Sequence, residues 1–140
     1  LPVFRFRLGR ILELKERLRE AKRAELLSVE REIEARNRRI EALEEEIRRL
    51  ETTSLLSGEE LKARYNRFEL AVVEIERVRE EIYELEKKRK QLLKELVDME
   101  KEVKMLDKLR DRKKGEFLKD VLREEMKFLD ELAQRSRGYE

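Results

Sequence analysis

Thr52-Thr53-Ser54-Leu55-Leu56-Ser57-Gly58 is the one short stretch of the chain that cannot be helix, and it separates two long runs of heptads. Before it, Leu26, Val29, Ile33, Arg36, Ile40, Leu43, Ile47 and Leu50 alternate by three and four residues without a slip. After it, Leu61, Tyr65, Phe68, Val72 and Ile75 begin the same alternation. Val78, Ile82, Leu85, Arg89, Leu92, Leu96, Met99, Val103 and Leu106 continue it. A seam with a 3.5-residue repeat buries its apolar stripe only by winding around another helix. A short connection between long helices makes them antiparallel neighbours. The expected fold is therefore all-α: a long antiparallel two-helix coiled-coil hairpin whose second helix is longer than its first.

The boundaries follow from local chemistry. Helix one is expected over about 5–51, the turn over about 52–58, and helix two over about 58–136, as a single hairpin spanning 1–140. Ser57 and Glu60 have the spacing of a capping box, which sets the start of helix two. Gly115 weakens helix two but does not end it. Leu8, Ile11, Leu14, Leu18 and Ala21 form an early apolar set out of register with Leu26 onward. A slip near Ala24–Leu27 is therefore expected to alter the supercoil. With the turn centred near 55, residue i should lie beside roughly 110 − i, leaving about 30 residues of helix two without an intrachain partner. That overhang carries Phe117, Leu118, Val121, Leu122, Met126, Phe128, Leu129 and Leu132, too much apolar surface for an isolated helix.

Half the residues are charged and 6% are aromatic, a balance that suits long helices rather than a compact core. With no Cys and no His, there is no zinc site, disulfide, thiol nucleophile or imidazole catalysis to expect. No glycine-rich phosphate loop is present, and the 34 acidic residues fall on solvated faces among Lys and Arg. No enzyme and no cofactor are expected. No apolar run approaches the ~20 residues of a membrane span, so direct membrane insertion is not expected. A cytoplasmic chain is. It begins at Leu1 rather than Met, as trimming of a residue or tag would leave it.

The net charge of +2 is unevenly spread: +5 over 1–23, −5 over 24–60, 0 over 61–103, +4 over 104–123 and −2 over 124–140. An antiparallel hairpin gathers both basic segments at the end away from the turn, giving a lengthwise charge dipole. Nucleic acid is a rival reading of Arg5, Arg7, Arg10 and the Lys108–Lys114 cluster. DNA-reading coiled coils fork two parallel basic helices, however, and acidic residues interrupt both segments here, so no nucleic acid is expected. Lys22, Arg36 and Arg89 occupy or neighbour seam positions, where a polar residue fixes register at some cost in stability. Tyr65 and Phe68 fit either core packing or an exposed contact patch.

The two ends carry a resemblance. Phe4-Arg5-Phe6-Arg7-Leu8, followed by Ile11-Leu12-Glu13-Leu14-Lys15-Glu16, is similar to the start of the bacterial flagellar export protein FliJ family. Glu125-Met126-Lys127-Phe128-Leu129-Asp130-Glu131-Leu132-Ala133-Gln134-Arg135 resembles that family's closing stretch. The resemblance implies a non-enzymatic, central-stalk-like coiled coil of the flagellar type III export apparatus. It would sit in the ring of the hexameric export ATPase, promote its assembly and activity, and contact the cytoplasmic domain of the export gate membrane protein. It would also escort export chaperones, at the inner face of the cell membrane at the flagellar base. With the overhang and the basic segments, it makes Phe4, Arg5, Phe6, Arg7, Lys113, Lys114, Phe117, Leu118, Leu122 and Leu129 the candidate ATPase-binding residues. It makes Leu43, Tyr65, Phe68, Val72 and Ile75 the candidate export-gate-binding residues. The alternative is a structural coiled-coil spacer or self-assembling rod without an ATPase partner.

Overall fold

The computed structural model describes residues 2–52 and 57–138. Two helices account for nearly all of them: α1, Gly9–Thr52, and α2, Gly58–Gly138, with 44 and 81 residues. No strand is found among the described residues. The helices pack as an antiparallel hairpin with the second longer than the first, as the heptads require.

Helix α1 starts at Gly9 rather than near residue 5. Ahead of it Phe4, Phe6 and Leu8 are half-buried while Val3, Arg5 and Arg7 are exposed. That period of two needs an extended chain, because on a helix residues two apart face nearly opposite ways. The Gly9 N–H donates to the Phe6 carbonyl at 3.0 Å, turning the segment into the helix. At the other end the Thr52 hydroxyl donates to the Arg49 carbonyl at 3.1 Å. Of the expected turn, Thr53–Leu56 lie outside the described residues.

The start of α2 follows the capping-box reading. The Glu60 N–H donates to Ser57 Oγ at 3.3 Å, and the Ser57 N–H donates to Glu60 Oε2 at 3.4 Å. Glu59 and Glu60 also place negative charge at the positive end of the helix dipole. Gly115 does not interrupt α2.

Packing divides into two compact units: residues 21–96, and residues 2–20 with 97–138. In the first, Leu26, Val29, Ile33 and Leu92 are buried together, flanked by Ile82, Leu85 and Leu96. A second cluster joins Leu43, Ala71 and Ile75, flanked by Ile40 and Ile47. Ala71, not Val72, takes the seam position, since Val72 is only half-buried. Lys22 pairs with Glu95 and Arg36 with Glu81, both at 2.9 Å, so residue i faces 117 − i. The expected 110 − i is thus displaced by one heptad, a shift that keeps the same helix faces opposed. Flanking pairs Arg39–Glu74 and Arg79–Glu44 close the two sides of the seam, at 2.9 and 3.6 Å. Arg89 reaches Glu30 at 3.5 Å.

The second unit, called the stem below, is centred on Leu12 and Val103, each 2% exposed. Lys15 Nζ lies 2.7 Å from Glu102. The expected slip near Ala24–Leu27 is absent. Leu8, Leu12, Lys15, Arg19 and Lys22 lead to Leu26 by threes and fours, so the seam continues with basic residues at its positions. Their aliphatic stems can pack while the charged heads reach water or acidic partners. Of the early apolar set, Leu8 joins the seam while Ile11, Leu14, Leu18 and Ala21 are exposed. The overhang is also shorter than expected, because Phe4 packs on Phe117 and only from Leu122 onward is every described residue exposed.

Candidate functional site

The stem brings the extended N-terminal segment against the far part of α2. The Phe4 and Phe117 rings meet at 5.7 Å between centroids, tilted by 48°. Such offset, tilted contacts suit the ring quadrupoles. Beside them a groove of about 660 Å³ is lined by residues 3–8 together with Leu109, Lys113, Glu116, Phe117 and Asp120. Arg5, Arg7 and Lys113 therefore border one concavity, with Lys113 also 3.6 Å from Glu116.

A second groove, about 590 Å³, has an apolar floor of Pro2, Phe117, Val121, Phe128 and Leu129 and an acidic rim of Asp120, Glu124 and Glu125. Of the ten stem residues singled out in the sequence, Phe4, Arg5, Phe6, Arg7, Lys113 and Phe117 share the first groove, and Leu129 joins Phe117 in the second. Lys114, Leu118 and Leu122 are exposed on α2 outside both. The acidic rim escaped sequence reading, although Glu124 and Glu125 stand within the overhang's apolar residues and could have flagged it.

Nearer the turn, a groove of about 370 Å³ is lined by Leu50, Glu51, Leu61, Arg64, Tyr65 and Phe68. Tyr65 is 61% exposed, and its hydroxyl donates to the Glu69 carboxylate, which holds its pKa above the usual tyrosine value. Phe68 and Val72 are half-buried. Leu43 and Ile75, at 2% and 7% exposure, are seam residues and present no surface. The structure thus brings Tyr65 and Phe68 to one concavity, while Leu43 and Ile75 lie in the buried seam outside its lining.

The perturbed side chains have structural causes. Glu95 is held below its ordinary value by the hydrogen bond from Lys22 and then by one from Gln91, and Lys22 is raised by the same Glu95 bond. Among the described residues no cluster could hold a metal ion, and no helix is long and apolar enough to cross a membrane. Around its two grooves the stem presents aromatic, apolar and charged side chains side by side.

The family model described as "Flagellar FliJ protein" matches residues 4–138. The chain belongs to the FliJ family. Its match begins at Phe4, the residue that seats the N-terminal segment on Phe117, and runs to the last residue of α2. No curated protein and no solved structure matches it. As a FliJ-family member it is a flagellar, export-related coiled-coil protein.

Proposed function

We propose that this FliJ-family protein is a non-catalytic, central-stalk-like component of the flagellar type III export apparatus. In this reading the stem docks into the ring of the hexameric export ATPase and promotes its assembly and activity. The turn-side groove meets the cytoplasmic domain of the export gate, and export chaperones are handed on along the way. The protein then works in the cytoplasm, held peripherally at the flagellar base. The observation that carries the reading is the stem itself, where Phe4 and Phe117 pack together beside Arg5, Arg7 and Lys113 and next to the exposed tail of α2. Aromatic anchors with arginines around them are what interface centres are made of. The basic segments supply long-range attraction to whatever acidic surface a partner presents.

The test is stimulation of a cognate export ATPase by the purified chain. Truncation after Arg112 should abolish stimulation while unit 21–96, which lies wholly before the cut, keeps its helicity. Charge reversal at Lys113 and Lys114 should weaken stimulation in a salt-dependent way, since exposed charges are screened over ~8–10 Å at physiological salt. Full stimulation by the truncated chain would overturn the assignment.

A further inference from the structure

The densest basic stretch of the chain belongs to neither the stem nor the turn-side groove. Lys87-Lys88-Arg89-Lys90-Gln91-Leu92-Leu93-Lys94 holds five cations and no acid, and no other acid-free stretch carries more than three. Ion pairing divides these cations into two kinds. Arg89 takes a seam position, 3.2 Å from Glu86 and 3.5 Å from Glu30 of α1, and Lys87 lies 3.5 Å from Glu84. Lys88, Lys90 and Lys94 are exposed and have no carboxylate partner among the described residues.

Tyr83, Lys87, Lys90 and Lys94 repeat by four and three, so they form one stripe along three turns of α2. The Lys87 ammonium sits 4.5 Å from the centroid of the Tyr83 ring. Beside the stripe a groove of about 400 Å³ is lined by Tyr83, Glu86, Lys87, Arg89, Lys90 and Leu93. Tyr83 is 62% exposed and Leu93 39%. On α1, Leu27 is also exposed and stands three residues before Glu30, on the flank that Arg89 reaches. With residue i facing 117 − i, Leu27 is level with Lys90. The flank thus carries a tyrosine ring and two exposed leucines next to a row of lysines, all within unit 21–96.

We propose that this flank is a docking surface for an acidic amphipathic helix of another protein. Charge complementarity names the occupant, because lysines repeating by four and three on one helix meet carboxylates with the same repeat on another. A helix laid along the stripe presents such carboxylates at the same ~5 Å step. Tyr83, Leu93 and Leu27 then receive its apolar side chains, as in other helix-in-groove docking. A phosphate chain would meet the lysines but leave both leucines without contacts and pass beside Glu84 and Glu86, so the flank suits a protein better. The surface is independent of the ATPase reading, since it uses no residue of the stem.

Fluorescence anisotropy on the full chain tests it with two labelled probes. One is a helical peptide of about 18 residues, five turns, with glutamates repeating by three and four and leucines beside them. The other is a thymidine oligonucleotide of equal charge. The peptide should bind at about 50 mM salt and weaken at about 300 mM, as screening requires. Lys87→Glu/Lys90→Glu/Lys94→Glu should raise its dissociation constant about tenfold or more. Arg31→Glu/Arg38→Glu/Arg48→Glu, the same charge change at exposed positions of α1, should raise it less than about threefold. Leu27→Ser/Leu93→Ser should weaken the peptide about threefold or more and leave the oligonucleotide unchanged. Circular dichroism confirms that each variant is helical, and the milder Lys87→Gln/Lys90→Gln/Lys94→Gln should act in the same direction as the reversal. No binding of the peptide, equal losses from the two triple reversals, or tighter binding of the oligonucleotide would each overturn the proposal, the last making the flank a phosphate-binding surface.

Discussion

Lys22 Nζ lies 2.9 Å from Glu95 Oε2, joining a basic seam position of α1 to α2 at a single register. Shifting the helices by one heptad would keep every apolar face opposed but leave this pair apart. Arg36 and Glu81, also 2.9 Å apart, repeat the arrangement two heptads on along α1. Polar residues at such positions trade some stability for one defined alignment.

The pair makes stability depend on pH at both ends of the scale. The folded pKa of Glu95 is depressed, so its contribution is present above the ordinary glutamate value and is lost as pH falls through the lower folded value. Lys22 is raised above its ordinary 10.5, so its contribution is present below that value and is lost as pH rises through the higher folded one. Melting temperature should therefore be flat across neutral pH and fall at both extremes. Glu95→Gln should lower it at pH 7 and shrink the difference from wild type at strongly acidic pH. An equal difference at both pH values would remove the pair from the explanation.

Leu12→Ala and Leu14→Ala separate the buried seam from the exposed stripe. Leu12 is 2% exposed and should cost about 2–5 kcal/mol on truncation. Leu14 is 54% exposed, and its loss should stay within about 0.5 kcal/mol. Denaturant titration measures both. Similar losses would restore the out-of-register seam.

Gly115→Ala should stabilise the protein. The position is helical, and an added Cβ meets nothing within 4 Å. Reduced freedom of the unfolded chain should then contribute about 0.4–1 kcal/mol, readable as a higher melting temperature. A lower one would mean that Gly115 serves a contact made only in an assembly.

Tyr65→Ala with Phe68→Ala should leave ATPase stimulation intact and weaken binding to the cytoplasmic domain of the export gate. Pull-down with that domain, beside the ATPase assay, reads both effects. If the change instead removes stimulation and spares gate binding, the two ends have exchanged roles.

Much of the molecule was legible before its structure. Ser57 and Glu60 announced the start of α2, because a capping box is a local arrangement of four residues. The site was less legible. Phe4 and Phe117 were both singled out, yet their contact depends on residues 2–6 being extended, whereas the helix was expected from about residue 5. The Ile11–Leu14–Leu18 stripe repeats as a seam does, so periodicity gave it the role that Leu12, Lys15 and Arg19 perform.

Sequence by itself determined that the chain is two long helices, where the second begins, and which faces most of them bury. Those are local properties: 3.5-residue spacing and capping chemistry are each contained within a few turns. Only the tertiary structure decided the register, the choice between two competing apolar stripes, and the meeting of the N-terminal segment with Phe117. A heptad repeat is periodic, so 110 − i and 117 − i satisfy it equally. What breaks the tie is a small set of long-range pairs, Lys22 with Glu95 and Arg36 with Glu81, whose distances exist only once the helices have packed.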